Sequence, residues 1–434
     1  MTVWSNWARV ESATPLRVES PTSTAAVAAA VTRARDEGTG VKMVGSGHSF
    51  TSIAAPEHTM LSPDELTGLV RIDRDAMTVT ARAGTQLKSL NRLLQSAGLS
   101  LHNMGDIAEQ TLAGAISTGT HGTGGVAAGL AAQVAGFEMV AGTGEVLTVD
   151  AESPDDLLGL TRVGLGALGI LTEITFRVEP LFCLQAEERP VSWSEVLATF
   201  DDLTRAHHHV DVHWFPHTDG ALLKANTRLA GPVSEAEPVS RLRGWWDDDF
   251  LANTVFGAVT GLGTRRPSLT PTINRFATGA LSPRTYSDVA HRVFVSPRRV
   301  RFREMEYAVP REVGLDALRE ARRVIEANDW RIGFPVEVRT APADDAALSM
   351  ASGRDSLYLA FHVHHRADHT EYFSAMEDVM KTYGGRPHWG KMHQRGRDDL
   401  ASLYPRFEEF LAVRDRLDPD RVLTNPHLRH VLGE

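Results

Sequence analysis

The chain has very little cysteine and no long apolar run. Cys183 is the single cysteine among 434 residues, so an intrachain disulfide, a cysteine-based zinc site and an iron–sulfur cluster are excluded. No apolar run approaches the roughly 20 residues that a membrane helix needs, and residues 1–7 lack the basic and then apolar pattern of a signal peptide. We therefore expect no transmembrane segment and a cytoplasmic location.

Positive charge is also scarce. Lys and Arg number 45 against 55 Asp and Glu, which leaves a net charge of −10. A nucleic-acid partner is disfavoured, because no basic excess is available to displace counterions from a phosphate backbone. At 434 residues the chain exceeds the usual limit for one hydrophobic core, so two domains are expected.

A short turn after the strand predicted over residues 41–44 carries the first functional signal. Gly45-Ser46-Gly47-His48-Ser49 places two glycines one residue apart, and glycine lets backbone amides approach a charged group because it has no Cβ. This pattern is typical of a phosphate cradle. A second segment, 114–125, consists almost entirely of small residues. We interpret it as a loop that wraps around something or is itself wrapped.

Hydrophobic periodicity predicts a mixture of helices and strands. Gly164-Leu165-Gly166-Ala167-Leu168-Gly169 matches the dinucleotide-binding motif, but a helix-like stretch precedes it and a strand follows it, which is the reverse of a Rossmann unit. The predicted helices cover 25–34, 87–94, 312–328, 371–383 and 400–416, and one more begins at Ser153-Pro154-Asp155-Asp156. The predicted strands cover 77–81, 170–178, 210–215, 303–309, 335–339 and 357–363, and two more lie in 133–149 about the turn 142–144. Residues 231–268, including Trp245-Trp246-Asp247-Asp248-Asp249, are predicted to be an irregular insertion.

Four motifs follow one another in a set order along the chain. They are the 45–49 turn, Gly119-Thr120-His121-Gly122-Thr123-Gly124, Gly166-Ala167-Leu168-Gly169-Ile170, and Arg386-Pro387-His388-Trp389-Gly390-Lys391. Together they resemble the vanillyl-alcohol-oxidase-type (PCMH-type) flavoproteins. Within these they are most similar to the aldonolactone oxidase group, which includes actinobacterial L-gulono-1,4-lactone oxidases and dehydrogenases and is related to the alditol oxidases.

The resemblance implies an α+β fold of two domains. A PCMH-type FAD-binding domain is expected over 1–180. A cap, or substrate, domain made of an antiparallel sheet and helices is expected over 181–415, and 416–434 should pack back on the FAD domain.

The resemblance also implies that FAD is the cofactor. In this family the histidine of the first turn is bonded to the flavin 8α-methyl group, and His48 matches it. A neutral imidazole is a competent nucleophile near neutral pH, so covalent attachment through His48 is expected. The expected FAD contacts are Val44, Gly45, Ser46, Gly47, His48, Ser49, Gly114, Ser117, Thr118, Gly119, Thr120, His121, Gly122, Gly124, Gly169, Ile170 and His388.

Oxidation of an alcohol requires removal of a hydroxyl proton and positive charge near the reduced flavin. Residues 335–339 alternate, so Glu337 and Arg339 project from one face of the predicted strand. The resemblance implies that these two contact substrate hydroxyls and the flavin. It also implies that His362 and Lys391 are the active-site histidine and lysine of the family.

Two adjacent positions bear on the acceptor and the substrate. By resemblance, Gly105 stands at a gate beside the flavin that is alanine in plant galactonolactone dehydrogenases and glycine in related oxidases, so glycine favours access of oxygen. Asp106 replaces a serine that contacts the substrate in alditol oxidases. This replacement favours a lactone over an open-chain polyol.

A histidine-rich strand, 207–213, is a candidate metal site. Asp211 and His213 share a face, but no third ligand is fixed by the spacing, so no metal is predicted. Glu306 lies on another predicted strand, where it could line the cleft or belong to a solvated face.

The expected function is FAD-dependent oxidation of a hydroxyl of a sugar-acid lactone, with L-gulono-1,4-lactone as the leading candidate and ascorbate as the eventual product. Oxygen or a redox carrier would reoxidise the flavin. Two alternatives stay open. One is an alditol oxidase acting on the primary hydroxyl of xylitol or sorbitol, and the other is a flavin-binding protein that no longer turns over.

Overall fold

Two sheet systems make up the fold in the computed structural model, which describes residues 3–244, 253–296 and 298–433. The predicted Trp- and Asp-rich stretch at 245–249 lies outside the described residues. The first system has strands β1 (Trp4–Ser5), β2 (Ser12–Ala13), β3 (Arg17–Glu19), β4 (Val41–Met43), β5 (Thr59–Leu61), β6 (Leu69–Asp73), β7 (Thr78–Arg82), β8 (Leu99–Ser100), β9 (Val134–Val140), β10 (Val146–Asp150), β11 (Ile170–Arg177) and β12 (Glu179–Pro180). Its helices are α1 (Thr24–Asp36), α2 (Leu87–Ser96), α3 (Leu112–Ser117) and α4 (Leu157–Thr161).

The first system combines a parallel and an antiparallel sheet. Strands β3, β5 and β4 form a parallel sheet in that order, and β10-β9-β11-β7-β6 form an antiparallel one. The glycine turn follows β4, and the part of the small-residue segment that is not helical, 118–125, follows α3. Both therefore begin at the ends of packed elements, which fixes their positions.

A single antiparallel sheet of eight strands forms the second system. Its strands are β13 (Cys183–Ser192), β14 (His209–Trp214), β15 (Gly220–Arg228), β16 (Arg284–Val289), β17 (Phe302–Pro310), β18 (Val336–Ala341), β19 (Ser356–His364) and β20 (Arg386–Pro387). Its helices are α5 (Trp193–Ala206), α6 (Arg241–Gly244), α7 (Phe256–Arg265), α8 (Thr270–Gly279), α9 (Ala290–Phe294), α10 (Gly314–Ala327) and α11 (Thr370–Thr382). The strand order is β16-β13-β15-β14-β18-β19-β17-β20.

Alternation along the central strands separates a hydrophobic core from a polar face. Helices α5, α10 and α11 cover one face, where Val338, Met305 and Phe361 join their apolar side chains in one buried cluster. Because successive side chains point to opposite faces, the residues between these core positions project to the other face. Glu337 is 7% exposed there and Glu304 5%, so this polar face is buried.

The last three helices pack against the first system. They are α12 (Arg397–Leu403), α13 (Phe407–Leu417) and α14 (Pro426–Leu432), and Leu400, Phe410 and Leu428 belong to the same buried cluster as Leu87 and Ile116. Among the described residues, no helix is long and apolar enough to cross a membrane.

The prediction of one helix over 400–416 was wrong. Leu403 ends α12, and Tyr404 takes an extended conformation with φ −108° and ψ 111°. Pro405 follows, and a residue before proline is pushed out of the helical region while proline itself has no amide to donate. The helix therefore breaks and restarts at Phe407.

Three further predictions need correction. Residues 114–117 are not loop but belong to α3, whose Thr111 side chain caps the helix by accepting from the Gly114 amide. Asp156, not Ser153, caps α4 by accepting from the Gly159 amide. The expected irregular insertion includes α7, because residues 256–265 are helical. The other predicted helices and strands are confirmed to within a few residues.

Asn425 fastens the C-terminal helix to the first system. It is 1% exposed, and its Nδ2 donates to the carbonyl oxygens of Ser52, Ile53 and Ala55 at 3.0–3.1 Å. Its Oδ1 accepts from the Leu428 amide at 2.9 Å and so caps α14. One side chain thus satisfies both the helix start and three carbonyls of a neighbouring turn.

Asn425→Ala is expected to destabilise the protein by about 2–4 kcal/mol, since it removes a helix cap and leaves buried carbonyls without donors. Calorimetry should show a melting temperature several degrees lower. Arg416→Ala is the control, because Arg416 makes an exposed ion pair with Asp155, and such pairs contribute about 1 kcal/mol or less. Equal melting temperatures for the two variants would contradict this role of Asn425.

Candidate active site

A cavity lies between the buried polar face of the eight-stranded sheet and the loops of the first system. All six residues expected to act on the substrate line it, although they come from distant parts of the sequence. They are Gly105, Asp106, Glu337, Arg339, His362 and Lys391. His48, Ser49, Thr118, Thr120, His121 and His388, expected to contact the cofactor, lie on the same wall.

A second cavity adjoins the first at the glycine turn. His48, Ser49, Gln110 and Thr118 line both, so together they offer an elongated space that passes the turn. Seven more of the expected cofactor positions line the second cavity. They are Gly45, Ser46, Gly47, Gly114, Ser117, Gly169 and Ile170.

The remaining expected cofactor positions face protein atoms. Val44 is 3% exposed, and its amide donates to the Leu61 carbonyl. A Cβ added at Gly122 would lie 2.4 Å from the Met104 carbonyl oxygen, and one at Gly119 would lie 3.2 Å from Met350 Sδ. Gly124 donates its amide to the Thr340 carbonyl. These four residues lie outside the walls of both cavities.

The glycine turn presents free amides toward the cavities. Among the described residues, the amides of Ser46, Gly47 and His48 donate to no protein acceptor. Gly45 is needed for close packing, since an added Cβ would lie 2.2 Å from Thr111 Oγ1. Clustered amides without protein partners favour an anionic ligand.

His48 is a neutral imidazole at neutral pH. Burial, reinforced by the charge of Lys391 and opposed by that of Glu109, lowers its pKa to about 4. A neutral ring has a nitrogen lone pair available for a nucleophilic attack or a hydrogen bond.

Lys391 and His362 share the carboxylate of Glu304. Lys391 Nζ bonds to Glu304 Oε2, and His362 Nε2 lies 3.3 Å from Glu304 Oε1. Burial by itself would raise the pKa of Glu304, yet Lys391, together with His362 when that ring is protonated on Nε2, holds it at about 2. Burial would likewise lower the pKa of Lys391, but Glu304 and Glu306 raise it above its ordinary value. The lysine is therefore a fixed cation in the cavity.

Glu337 and Arg339 form a second network. Arg339 Nη2 lies 2.5 Å from Glu337 Oε1, and its Nε lies 2.7 Å from Asp211 Oδ1. His213 Nε2 is 3.2 Å from Glu337 Oε1. Despite burial, Arg339 and His213 hold the pKa of Glu337 well below its usual range. The candidate metal ligands Asp211 and His213 thus lie in the ion-pair network of the cavity.

Asp106 is neutralised by a residue that the sequence did not suggest. Arg298 Nη2 lies 2.6 Å from Asp106 Oδ2, and Arg298 together with Arg339 lowers the pKa of Asp106 against the effect of burial. Next to it, a Cβ added at Gly105 would lie 3.0 Å from the His121 carbonyl oxygen. An alanine at 105 would therefore press on the loop that carries His121.

His121, Glu306 and His388 form a buried group whose ligand atoms lie within 4.8 Å of one another. His121 Nε2 is 3.2 Å from Glu306 Oε1. The Gly390 amide donates to His388 Nδ1 at 3.0 Å, and burial lowers the pKa of His388 to about 3, so the neutral ring carries its hydrogen on Nε2. That nitrogen has no lone pair for a metal, and the group is better suited to donate hydrogen bonds.

Sequence reasoning missed several residues of this wall. Glu304 had a usable signal, since it alternates with Met305 and so shares a face with Glu306. Arg298 and Trp7 had none, because each lies in a segment without local periodicity and reaches the cavity only through the tertiary fold.

Two models of known protein families match this chain. The family model for D-arabinono-1,4-lactone oxidase matches residues 174–431, and that for an FAD binding domain matches 15–150. The chain belongs to the D-arabinono-1,4-lactone oxidase family. It is 38% identical to an L-gulono-1,4-lactone dehydrogenase of Mycobacterium tuberculosis over 99% of both chains. It is 31% identical to the L-gulonolactone oxidase of Bos taurus over 99% of this chain and 98% of the other.

The fold recurs in a protein that is less similar in sequence. Cholesterol oxidase from Brevibacterium sterolicum superposes with a TM-score of 0.83 at 18% identity, covering 99% of this chain and 96% of that one. This likeness supports the PCMH-type fold alone. The sheet of the second system corresponds to the antiparallel domain of that fold.

FAD is the cofactor that these residues fit. The adjoining cavities give an elongated space, and the turn between them offers amides of Ser46, Gly47 and His48 that are free of protein acceptors. An FAD molecule needs such a length and such an anion site. FAD, when bound, supplies a hydride acceptor at N5.

Proposed function

We propose that this protein oxidises a hydroxyl group of a sugar-acid lactone of the L-gulono-1,4-lactone type, as a step toward ascorbate. One observation carries the proposal: His362, Glu337 and Arg339 on the buried sheet face and Lys391 in the segment after β20 line a cavity that continues to the free amides of the glycine turn. The paired ions of the cavity can donate hydrogen bonds to the hydroxyl groups of a neutral ring and accept hydrogen bonds from them. Because opposite charges are paired there, the substrate does not need a charge of its own.

Glu337 and Arg339 orient the hydroxyl groups of the substrate in this proposal. Their ion pair leaves further donor and acceptor sites on both side chains, and the partners Asp211 and His213 hold them rigidly. Rigid orientation is a large part of what an enzyme contributes to a hydride transfer.

His362 takes the hydroxyl proton in this proposal. Its Nδ1 lies 3.2 Å from the Pro335 carbonyl oxygen, and a carbonyl only accepts, so the hydrogen of the neutral ring is on Nδ1. A proton gained at Nε2 would then face the Glu304 carboxylate at 3.3 Å and be stabilised by it. Lys391 supplies positive charge for the reduced flavin or for the oxygen that becomes a carbonyl.

The electron acceptor is oxygen or a redox carrier. The resemblance at Gly105 favours oxygen, although a Cβ added there would point at the His121 carbonyl oxygen, 3.0 Å away.

Alditol oxidation is the second candidate reaction. Asp106 argues against it, because its carboxylate is engaged by Arg298 and does not offer the hydroxyl that a serine would present to an open chain. A flavin-binding protein without turnover is the third candidate, and reduction of the flavin by substrate distinguishes it from the other two.

Anaerobic mixing with a substrate panel tests the function. L-gulono-1,4-lactone, L-galactono-1,4-lactone and D-arabinono-1,4-lactone are expected to bleach the flavin, and xylitol to do so at least about 100-fold more slowly, a difference of about 2.7 kcal/mol in the barrier. Admission of air then reports the acceptor through the rate of reoxidation. Faster bleaching by xylitol would identify an alditol oxidase, and no bleaching by any of the four compounds would refute both oxidations.

Glu304→Gln tests the requirement for a charged lysine. Without the carboxylate, burial dominates and the pKa of Lys391 falls, so the protonated form is lost at a lower pH. The alkaline decline in the rate of flavin reduction should therefore move down by about one pH unit or more. Glu188→Gln is the matched control, since Glu188 is a buried carboxylate of the same sheet that pairs with Arg284 outside the cavity. An unchanged alkaline limb in Glu304→Gln would remove this role of Lys391.

We also propose that FAD is attached covalently to His48. The bond joins an imidazole nitrogen to the 8α carbon. Its formation would release the imidazole N–H hydrogen, one methyl hydrogen and two electrons, and these would leave as hydrogen peroxide once dioxygen accepts them. The neutral state of His48 supports this chemistry, because only the unprotonated nitrogen is nucleophilic.

Acid precipitation tests the linkage. Yellow colour should stay in the pellet of the wild-type protein and move to the supernatant for His48→Ala, which keeps its fold. His364→Ala serves as the control, since His364 lies outside the wall of the cavity, and it should retain coloured pellets. Release of all flavin from the wild-type protein would rule out the covalent bond.

A further inference from the structure

The N-terminal segment packs directly on the turn that carries His48. The Trp7 amide donates to the Gly47 carbonyl at 2.7 Å, and Asn6 Nδ2 donates to the Ser49 carbonyl at 2.9 Å. These two bonds reach the residues on either side of His48. The segment therefore holds the turn by hydrogen bonds to the residues immediately before and after His48.

Asn6 also shapes the segment itself. Its Oδ1 accepts from the amides of Val10 at 2.9 Å and Glu11 at 3.2 Å, and the side chain is 2% exposed. Ala8, also 2% exposed, joins Phe50 in a small apolar cluster. The segment is thus a defined part of the cavity wall.

The Trp7 indole lies between His48 and two phenylalanines that line the cavity, Phe50 and Phe302. Its ring stacks on the His48 imidazole with centroids 5.6 Å apart and planes 25° apart. It meets Phe302 edge-on at 5.5 Å and Phe50 at 6.5 Å. The two phenylalanines fix the indole, and the indole in turn covers one face of the imidazole.

Among the described residues, this stack is the one aromatic contact of the His48 ring. Among the residues that the structure describes, neither ring nitrogen of His48 forms a hydrogen bond with the protein. A nucleophilic histidine usually has its ring oriented by a hydrogen bond from a neighbour. At His48, the plane of the Trp7 indole takes the place of such a hydrogen-bond partner.

We propose that Trp7 is a positioning residue for His48: by stacking, it fixes the imidazole plane so that a ring nitrogen faces the flavin methyl carbon. This inference rests on the covalent linkage proposed above. Asn6 acts one step further back, because it fastens the segment that carries Trp7 to the turn. Neither residue takes a proton or an electron in the reaction.

Covalent incorporation of FAD into apoprotein tests the proposal. Apoprotein from riboflavin-starved cells is mixed with FAD in air, and the acid-precipitable flavin is followed with time for the wild type, Trp7→Phe, Trp7→Ala and Asn6→Asp. Binding of FAD itself is measured separately by fluorescence in the His48→Ala background, with and without Trp7→Ala, where no covalent bond can form.

Trp7→Ala should slow incorporation by about tenfold or more, because small misplacement of a reacting group is costly, while the affinity for FAD in the His48→Ala background changes less than about threefold. Trp7→Phe keeps an aromatic plane and should restore most of the rate. Asn6→Asp keeps the Oδ1 acceptor but loses the donor to Ser49, so it should slow incorporation without unfolding the segment. Phe256→Ala is the matched control, since Phe256 lines the same cavity and contacts Phe334 rather than His48.

The outcomes separate this inference from the one on which it rests. Incorporation by Trp7→Ala at the wild-type rate, or loss of FAD affinity as large as the loss of rate, would overturn the positioning role while leaving the His48 linkage intact. A wild-type protein that never forms acid-stable flavin would refute the linkage and the positioning role together. An equal slowing in Phe256→Ala would show a general effect of the cavity wall and would also overturn the role of Trp7.

Discussion

Mutual neutralisation of buried charges is the constraint on which the site depends. Glu304 and Glu337 are held on the inner face of a sheet where little water reaches them, and an isolated ion in such a place costs several kcal/mol. Lys391 and Arg339 each lie in direct contact with one of these carboxylates. Removing one partner leaves the other as an unpaired buried charge, so the residues that face the substrate also stabilise one another. A substitution here changes the charge of a network, and its effect on catalysis has to be separated from its effect on local structure.

The two sheet systems contribute different chemistry to the cavity. The first supplies small residues, free amides and a neutral histidine, and the second supplies ion pairs from the faces of long strands. One of the bonds that join them is the donation of the Phe50 amide to the Gly390 carbonyl at 2.7 Å. Phe50 follows the turn that carries His48, and Gly390 precedes Lys391. The position of the fixed cation is therefore set by the same turn that would hold the flavin, which couples the geometry of the cofactor to that of catalysis.

Local patterns predicted most elements and half of the site. Alternation in 335–339 placed Glu337 and Arg339 on one face, because the period of a strand depends on neighbours in sequence. Spacing could not reveal that β14 pairs with β18 and so brings His213 opposite Glu337. Because of that pairing, Asp211 and His213, the candidate metal ligands, belong to an ion-pair network. Trp7 and Arg298 belong to the same class: their roles arise from contacts between segments far apart in sequence, which carry no periodic signal.

The distribution of cations also explains how the cofactor end of the channel works in our proposal. Lys42 lies in the wall of the second cavity, yet it is not a fixed positive charge. Its Nζ donates to the carbonyl oxygens of Gly166 at 3.3 Å and Leu423 at 3.1 Å, and burial lowers its pKa to about 7 in spite of Asp418. A pyrophosphate here would rely on amides, which bind anions without demanding a counterion of their own. The C-terminal segment contributes to this end of the site, since Leu423 both accepts from Lys42 and lines that cavity. In our proposal, the uncharged amides at the second cavity bind the charged cofactor, and the ion pairs of the first cavity bind an uncharged substrate beside it.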